Sequence, residues 1–376
     1  MRIAVNTRLL LPGKLEGIGW FAHETLRRIT AAHPGHQFIY FFDRPYDARF
    51  IHAANVTPVV LAPPTRHPIL YRIWFDGMLP WALRRHRADL FLSPDGYLSL
   101  RTRVPQLPVM HDLNFEHFPE DLPRAYSRYY RSFFPRFARK AARILTVSAF
   151  SKQDIMATYG IAEEKIDVVH NGIGDSFRPL EAAAQATVRQ SLTAGRPYFV
   201  SIGSLHPRKN IARLLDAFDG FAQQEPEACL VIVGEAFWWD DRMKAAMARL
   251  KHRGRVIFTG RLEQHELHGV LAAARALVFV SYFEGFGIPV AEAMKCGVPV
   301  IAANATSLPE VAGDAAIYCD PFNVDSITHA MHRLWNDQDL REQLAAQGLE
   351  RAAGFTWDRT AQGVWSSVEQ VLAAIK

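Results

Sequence analysis

Between residues 198 and 280, four short runs rich in β-branched and aromatic residues (198–202, 230–233, 256–259 and 277–280) alternate with three stretches of helical apolar spacing (211–223, 240–250 and 264–274). Strands separated by helix-length connections cannot pair as hairpins, so the alternation predicts a parallel sheet with helices on both faces. The first half carries the same signature more loosely, with strand candidates at 2–7, 37–42, 89–93, 107–110, 143–147 and 166–170 and a helical run at 18–32. The expected fold class is therefore α/β. A chain of 376 residues exceeds what one core usually organises, so two such domains with a cleft between them are expected. The stretch 174–197 holds Phe177, Pro179, an Ala-rich segment and Gly195 but no strand pattern, and the boundary is placed there. The domains expected are 1–176 and 177–356, followed by a helix at 357–376. Val364, Val368, Val371 and Leu372 at helical spacing fit either an ordinary closing helix or one that crosses back onto the first domain.

Composition narrows the class. Apolar residues make up 49% and charged residues 22%, as in globular proteins and unlike disordered chains. A formal charge of +5, from 43 basic and 38 acidic residues, is too small a bias to argue for nucleic acid as a partner. Cys229, Cys296 and Cys319 are far apart and odd in number, so neither a disulfide framework nor a metal site is expected, and a reducing compartment fits. Residues 1–11 carry Arg2, Asn6 and Arg8 and lack the pattern of an export signal. No segment reaches the roughly 18 uninterrupted apolar residues of a membrane span. The expected location is the cytoplasm.

Open parallel sheets bind ligands beyond the C-terminal ends of their strands, so the loops that follow strands are where chemistry is sought. The most informative runs from Glu284 to Glu292 and opens a short helix with Pro289 in its first turn, closed by Gly297 and Pro299. Gly285 and Gly287 allow close backbone approach, the amides at the helix start would face a sugar hydroxyl or phosphate oxygen, and two carboxylates could hold vicinal hydroxyls. The plainer reading gives Glu292 to the helix dipole, in the first turn, and leaves Glu284 solvated. A second loop, Gly203-Ser204-Leu205-His206-Pro207-Arg208-Lys209-Asn210, puts two adjacent cations before a helix, where they oppose its dipole unless an anion is present. Arg208 as a fork and Lys209 as a point charge would make a diphosphate clamp that needs no divalent metal. Gly17-Ile18-Gly19 is an incomplete glycine fingerprint, with Ala22 where a third glycine would stand; a flexible loop and backbone contact with a phosphate or an acceptor all fit. His111 and Asp112 follow an apolar strand, where the imidazole could bond a sugar hydroxyl and the carboxylate could orient the loop or approach the acceptor. The run 126–143 interleaves aromatic and basic residues. It fits a helix with an aromatic core face and a solvated basic face, or contact with an anionic membrane that carries a lipid-linked acceptor; 66–87 has the same character.

Together these loops resemble the retaining glycosyltransferases of family 4, whose GT-B fold has two Rossmann-like domains facing a central cleft. The most specific match is Phe283-Glu284-Gly285-Phe286-Gly287-Ile288-Pro289-Val290-Ala291-Glu292-Ala293-Met294, similar to the family's Glu-x7-Glu element. The loop from Gly203 to Asn210 and Ser307-Leu308-Pro309-Glu310-Val311 add independent matches. Gly17-Ile18-Gly19, His111-Asp112 and Val147-Ser148-Ala149-Phe150-Ser151 are similar to N-terminal elements of mannosyltransferase-like members.

The resemblance implies an acceptor-binding first domain and a nucleotide-sugar-binding second domain. It implies that Arg208 and Lys209 neutralise the donor diphosphate, that Glu284 with the amides of Phe286 and Gly287 positions the donor sugar, and that Glu292 binds the ribose. Ile288 and Gly203-Ser204 complete the donor site, backbone groups of Gly260, Arg261 and Leu262 meet the base, and His111 contacts the sugar near its reacting face. Gly17 and Gly19 are assigned to the donor and Asp112 to the acceptor. The implied reaction is front-face transfer of a hexose without metal or other cofactor, preferentially mannose from GDP-mannose, to a glycan or lipid-linked acceptor in surface polysaccharide synthesis. A UDP-hexose donor, an epimerase or hydrolase on the same fold, and a two-lobed solute-binding protein are the alternatives. Peripheral contact with the inner face of a membrane stays open, as does oligomeric state.

Overall fold

In the first half, β1 (Arg2–Asn6), β2 (Gln37–Phe42), β3 (Val56–Val60), β4 (Leu90–Ser93) and β5 (Gln106–Pro108) form a wholly parallel sheet of order β3-β2-β1-β4-β5. A bridge between Val109 and Leu145 continues it into β6 (Ile144–Thr146), which pairs in parallel with β7 (Ile166–Val168). The computed structural model describes residues 1–235 and 241–375. The chain divides into two compact units: Met1–Gly172 with Thr356–Lys376, and Ile173–Phe355. Among the described residues no helix is long and apolar enough to cross a membrane.

The second unit is also wholly parallel. Its strands are β8 (Tyr198–Ile202), β9 (Cys229–Val233), β10 (Val256–Gly260), β11 (Ala276–Phe279), β12 (Val300–Ala303) and β13 (Ala316–Cys319), in the order β10-β9-β8-β11-β12-β13. All of β8, β9, β11 and β12 is buried, as strands covered on both faces must be. The order reverses between β8 and β11, so the loops after these two strands diverge to opposite faces and leave a crevice at their C-terminal ends. Those are the two loops that the sequence singles out.

The sequence reading misses β3, β12 and β13. β3 carries Pro58 at its centre, which an edge strand tolerates because only one side of it is paired. β12 and β13 are four residues each and carry alanines, which strands disfavour, at Ala302, Ala303 and Ala316. The stretch read as having no strand pattern, 174–197, contains no strand but holds a helix over its Ala-rich segment, Ala182–Thr193, that contacts helix Gln264–Ala272. The start of the expected helix 240–250 falls partly outside the described residues; the helix is seen from Asp241 to Arg249. Residue 376 of the closing segment is likewise outside them.

Helix Trp357–Ala373 packs on helix Gly17–Ala32 of the first unit, turning Val364, Trp365, Val368, Val371 and Leu372 inward. Trp365 stacks on His33 with ring centroids 3.6 Å apart, and Ser367 donates to Asp167 at 2.7 Å. A side chain at Gly172 would lie 2.3 Å from the Trp357 nitrogen, so the close approach of the two segments requires glycine there.

Candidate active site

The loop after β8 leaves the strand through Gly203 (φ +146°) and forms a single 3-10 turn, Pro207–Lys209, which Asn210 ends in the left-handed region (φ +61°). Arg208 and Lys209 therefore precede helix Ile211–Ala222, as the sequence reading places them, separated from its first turn by Asn210. Asn210 Nδ2 donates to Val280 O at 3.0 Å and to Pro321 O at 2.6 Å, and Tyr282 N donates to Arg208 O at 3.0 Å. These bonds fasten the β8 loop to the β11 loop. Asn suits this position because its short polar side chain tolerates left-handed backbone while it satisfies carbonyls that would otherwise be buried unpaired.

Glu284 sits between the cations. Its Oε1 lies 2.5 Å from Lys209 Nζ and its Oε2 lies 2.7 Å from an Arg208 guanidinium nitrogen, which also donates to Phe283 O at 3.1 Å. Burial alone would raise the Glu284 carboxyl; the two cations and their hydrogen bonds overcome this and hold it down at about 2. Glu284 is buried, 6% exposed, so the plain reading of it as a solvated loop acid is excluded. Two cations on one carboxylate leave the cluster with formal positive charge. Lys209 also lies 4.7 Å above the centre of the Phe279 ring, and its stem passes so close to Gly203 that a Cβ there would meet Lys209 Cε at 2.9 Å.

The Glu284 backbone is fixed by a loop to which the sequence assigns no role. Glu284 N donates to Thr306 Oγ1 at 3.1 Å, and Ser307 Oγ donates to Glu284 O at 2.9 Å. Thr306 lies at φ +51°, a conformation that costs a β-branched residue on the order of 1–3 kcal/mol and that the surrounding loop must enforce. No sequence signal marks Thr306, because strain of this kind is not written in residue type.

Beyond Gly287 (φ +93°), helix Ile288–Lys295 begins, so Glu292 is its fifth residue, just past the first turn to which the sequence reading assigns it. Dipole complementation at the helix start therefore does not explain Glu292. Burial raises its carboxyl to about 8, and among the described residues no hydrogen bond or ion pair to that carboxylate is found. Glu292 is part-buried, so a carboxyl without a protein partner there is open to the hydroxyls of a ligand. Phe286 is buried edge-on against Phe355, centroids 5.3 Å apart, so its side chain is part of the packing. Gly260 (φ +72°) ends β10, with Arg261 exposed after it and Leu262 part-buried. Ser204 is part-buried, and its carbonyl accepts from His206 N.

The remaining candidates belong to the first unit. Gly17 and Gly19 lie inside the first turn of helix Gly17–Ala32 and not in a flexible loop. A Cβ at Gly19 would meet Leu15 Cδ2 at 3.1 Å and Leu9 O at 3.2 Å, so close packing accounts for that glycine. The His111 ring meets Phe21 edge-on at 5.2 Å, and its Nε2 is 2.8 Å from Pro94 O. A carbonyl only accepts, so Nε2 carries the proton; burial keeps the imidazole neutral, which leaves Nδ1 as an acceptor. Asp112 Oδ1 accepts from Asn114 N at 3.0 Å and so starts the short turn 114–117. Ser148 caps helix Ala149–Tyr159 by accepting from Ser151 N at 3.0 Å, and Ser151 Oγ donates to His111 O at 3.2 Å. Among the described residues no group of three or more His, Cys, Asp or Glu is placed to hold a metal ion.

A crevice at a switch point, lined by two paired cations and an unpaired acid, suits an anionic ligand that also carries vicinal hydroxyls. Comparison with known proteins identifies the family. Residues 185–351 match the model of glycosyl transferases group 1, and residues 15–177 match that of glycosyltransferase family 4. The O-antigen chain mannosyltransferase B of Escherichia coli is 31% identical over 356 residues, covering 92% of this chain and 93% of that protein. Two solved structures share the fold at 19% identity. Sucrose-phosphate synthase of Thermosynechococcus elongatus superposes with a TM-score of 0.81 over 99% of both chains. Anabaena HepE, in complex with UDP and glucose, superposes at 0.76 over 98% of this chain and 99% of its own. The chain therefore belongs to glycosyltransferase family 4, as a mannosyltransferase-like member with the GT-B fold.

Proposed function

We propose that the protein transfers mannose from GDP-mannose, with retention of anomeric configuration, to a glycan or lipid-linked acceptor during synthesis of a surface polysaccharide. The observation that carries this reading is the Arg208–Glu284–Lys209 cluster at the switch point of the second unit. Bond breaking places negative charge on the leaving nucleotide diphosphate, and two cations already fixed in position stabilise that charge without reorganising during the reaction. Glu284, held by those cations and by Thr306, presents its turn to the hexose, while the unpaired Glu292 accepts from the ribose hydroxyls. His111, neutral with Nδ1 as acceptor, takes a hydroxyl of the transferred sugar. With charge neutralised by side chains, no divalent metal and no enzyme nucleophile is required. The mannose preference follows the name of the Escherichia coli relative. A UDP-hexose is the second reading, favoured by the UDP and glucose bound to HepE.

Lys209→Ala should lower turnover by about 10²–10³-fold while the fold persists, the loss seen when one preorganised charge-stabilising group is removed. Near-normal turnover in a folded variant would remove Lys209 from this role. A thermal-shift series with GDP, UDP and ADP sugars identifies the donor, since binding to the native state raises Tm. Stabilisation by UDP sugars alone would replace GDP-mannose with the second reading. Turnover that survives chelator, and an α-linked product seen by NMR, are the expected results for metal independence and retention.

A further inference from the structure

The first unit segregates charge. Residues 66–87 and 124–143 hold twelve of the 43 basic residues and one of the 38 acidic ones, leaving 31 basic against 37 acidic residues in the rest of the chain. The one acid, Asp76, turns inward and accepts from Leu100 N at 2.8 Å. Helix Arg124–Lys140 contains no acid. It buries Tyr129, Phe134 and Phe137 and exposes Arg124, Arg128, Arg131, Arg136, Arg139 and Lys140. A groove of about 890 Å³ runs along this face, with Glu116 and Glu120 on its wall; Glu116 pairs with Arg131 at 3.2 Å, while the guanidinium groups of Arg124, Arg128 and Arg139 that also line it have no partner among the described residues. Like charges gathered on one face repel, so the arrangement stores an attraction for an anionic surface.

Beside it lies an apolar feature that charge does not explain. The helical run from Pro68 to Arg85 exposes Ile69 (63%), Ile73 (46%) and Trp81 (54%) at four-residue multiples, with Gly77 at the intervening position. The π-type turn Trp74–Met78 advances each residue by less than an α-turn does, which keeps these positions closer to one line. The stripe adjoins the basic helix: Arg72 and Arg136 both lie over the Phe133 ring, at 5.7 and 5.2 Å, and Tyr126 donates to Arg66 O at 2.9 Å. Exposed Ile and Trp side chains flanked by arginines match a bilayer interface, where apolar groups enter the acyl boundary and guanidinium groups meet headgroup phosphates. A nucleic acid or acidic glycan would use the arginines but has no use for the stripe.

We infer that this face docks the protein on an anionic lipid bilayer, with Ile69, Ile73 and Trp81 entering the interface and the arginines of helix Arg124–Lys140 holding the headgroups. The surface shares no residue with those assigned to the donor, so turnover with a water-soluble acceptor is independent of it.

The test is co-sedimentation of the full chain with vesicles of phosphatidylcholine alone or with about 30% phosphatidylglycerol. Affinity for the anionic vesicles should be at least about tenfold higher and should fall in about 0.5 M salt. The triple variant Ile69→Ser, Ile73→Ser, Trp81→Ser should keep its Tm and soluble-acceptor turnover and lose about tenfold in vesicle affinity. Arg72→Glu with Arg136→Glu should lose at least as much, since each basic residue near the surface contributes about fivefold. Equal binding to neutral and anionic vesicles overturns the inference. So does a triple variant that binds like the parent, or an oligonucleotide that binds parent and triple variant equally and more tightly than the anionic vesicles, which would assign the face to a polyanion.

Discussion

Replacing Glu284 by glutamine preserves the size of the side chain and removes the charge that holds Arg208 and Lys209. Depression of the carboxyl from its usual 4.5 to about 2 means that the ionised form contributes about 3 kcal/mol at neutral pH, at about 1.4 kcal/mol per pKa unit. The side chain is only 8% exposed, so solvent screening removes little of this. The sign follows from the direction of the shift: the contribution is complete above pH 4.5 and disappears as the pH falls through about 2. For a unit of 183 residues, Ile173–Phe355, a loss of about 3 kcal/mol lowers Tm by roughly 6–12 °C. The variant leaves two partly buried cations facing one another, and a nucleoside diphosphate supplies the missing anion. GDP should therefore raise the Tm of Glu284→Gln by more than it raises that of the parent, even as turnover is lost. Differential scanning calorimetry with and without GDP, together with turnover, checks both parts. A variant as stable as the parent at pH 7, or one that GDP stabilises no more than the parent, would refute the reasoning that the carboxylate neutralises the pair.

Glu292, raised to about 8 by burial, should release roughly 0.8 proton at pH 7.5 when a nucleotide ribose bonds to it, read by calorimetry in buffers of different ionisation enthalpy; release unchanged in Glu292→Gln would assign it elsewhere. Because that carboxyl is raised, its cost to the fold grows as pH rises from 4.5 through 8, so Glu292→Gln should gain stability over the parent at pH 9 relative to pH 4. Gly203→Ala, which crowds the Lys209 stem, should cost about 1–3 kcal/mol of stability while lowering turnover as far as Lys209→Ala does. Gly234→Ala would put its Cβ 1.9 Å from Gly203 O, a backbone atom, and should cost more than about 4 kcal/mol in a melt.

The alternation of strands and helices in residues 198–280 is enough to foresee a parallel sheet, because four strands rich in β-branched and aromatic residues recur at helix-length spacing. The edges of both sheets are not legible in that way: Pro58 masks β3, and β12 and β13 carry alanines, which strands disfavour, at Ala302, Ala303 and Ala316. Among the site residues, Arg208, Lys209 and Glu284 stand out because adjacent cations and a glycine-flanked acid are locally unfavourable without a partner. That they are one another's partners depends on β8 and β11 being neighbours, which is a property of strand order and of no local segment. Thr306 and Asn210 are hidden for the same reason: each acts through a bond to a distant backbone group. The basic aromatic run does reveal its helix, and its buried Tyr129, Phe134 and Phe137 agree with the plain reading of an aromatic core face.

The return of residues 356–376 to the first unit makes the second an insertion in the first. A ribosome releases Ile173–Phe355 before the final helix, so the inserted unit has its full sequence while Phe21 and His33 still await Trp357 and Trp365. A premature stop at residue 356 would consequently strike the amino-terminal half of the molecule, and a fragment ending at Gly172 would expose apolar surface that aggregates. Joining residues 1–172 to 356–376 with a short linker is the way to obtain that half alone.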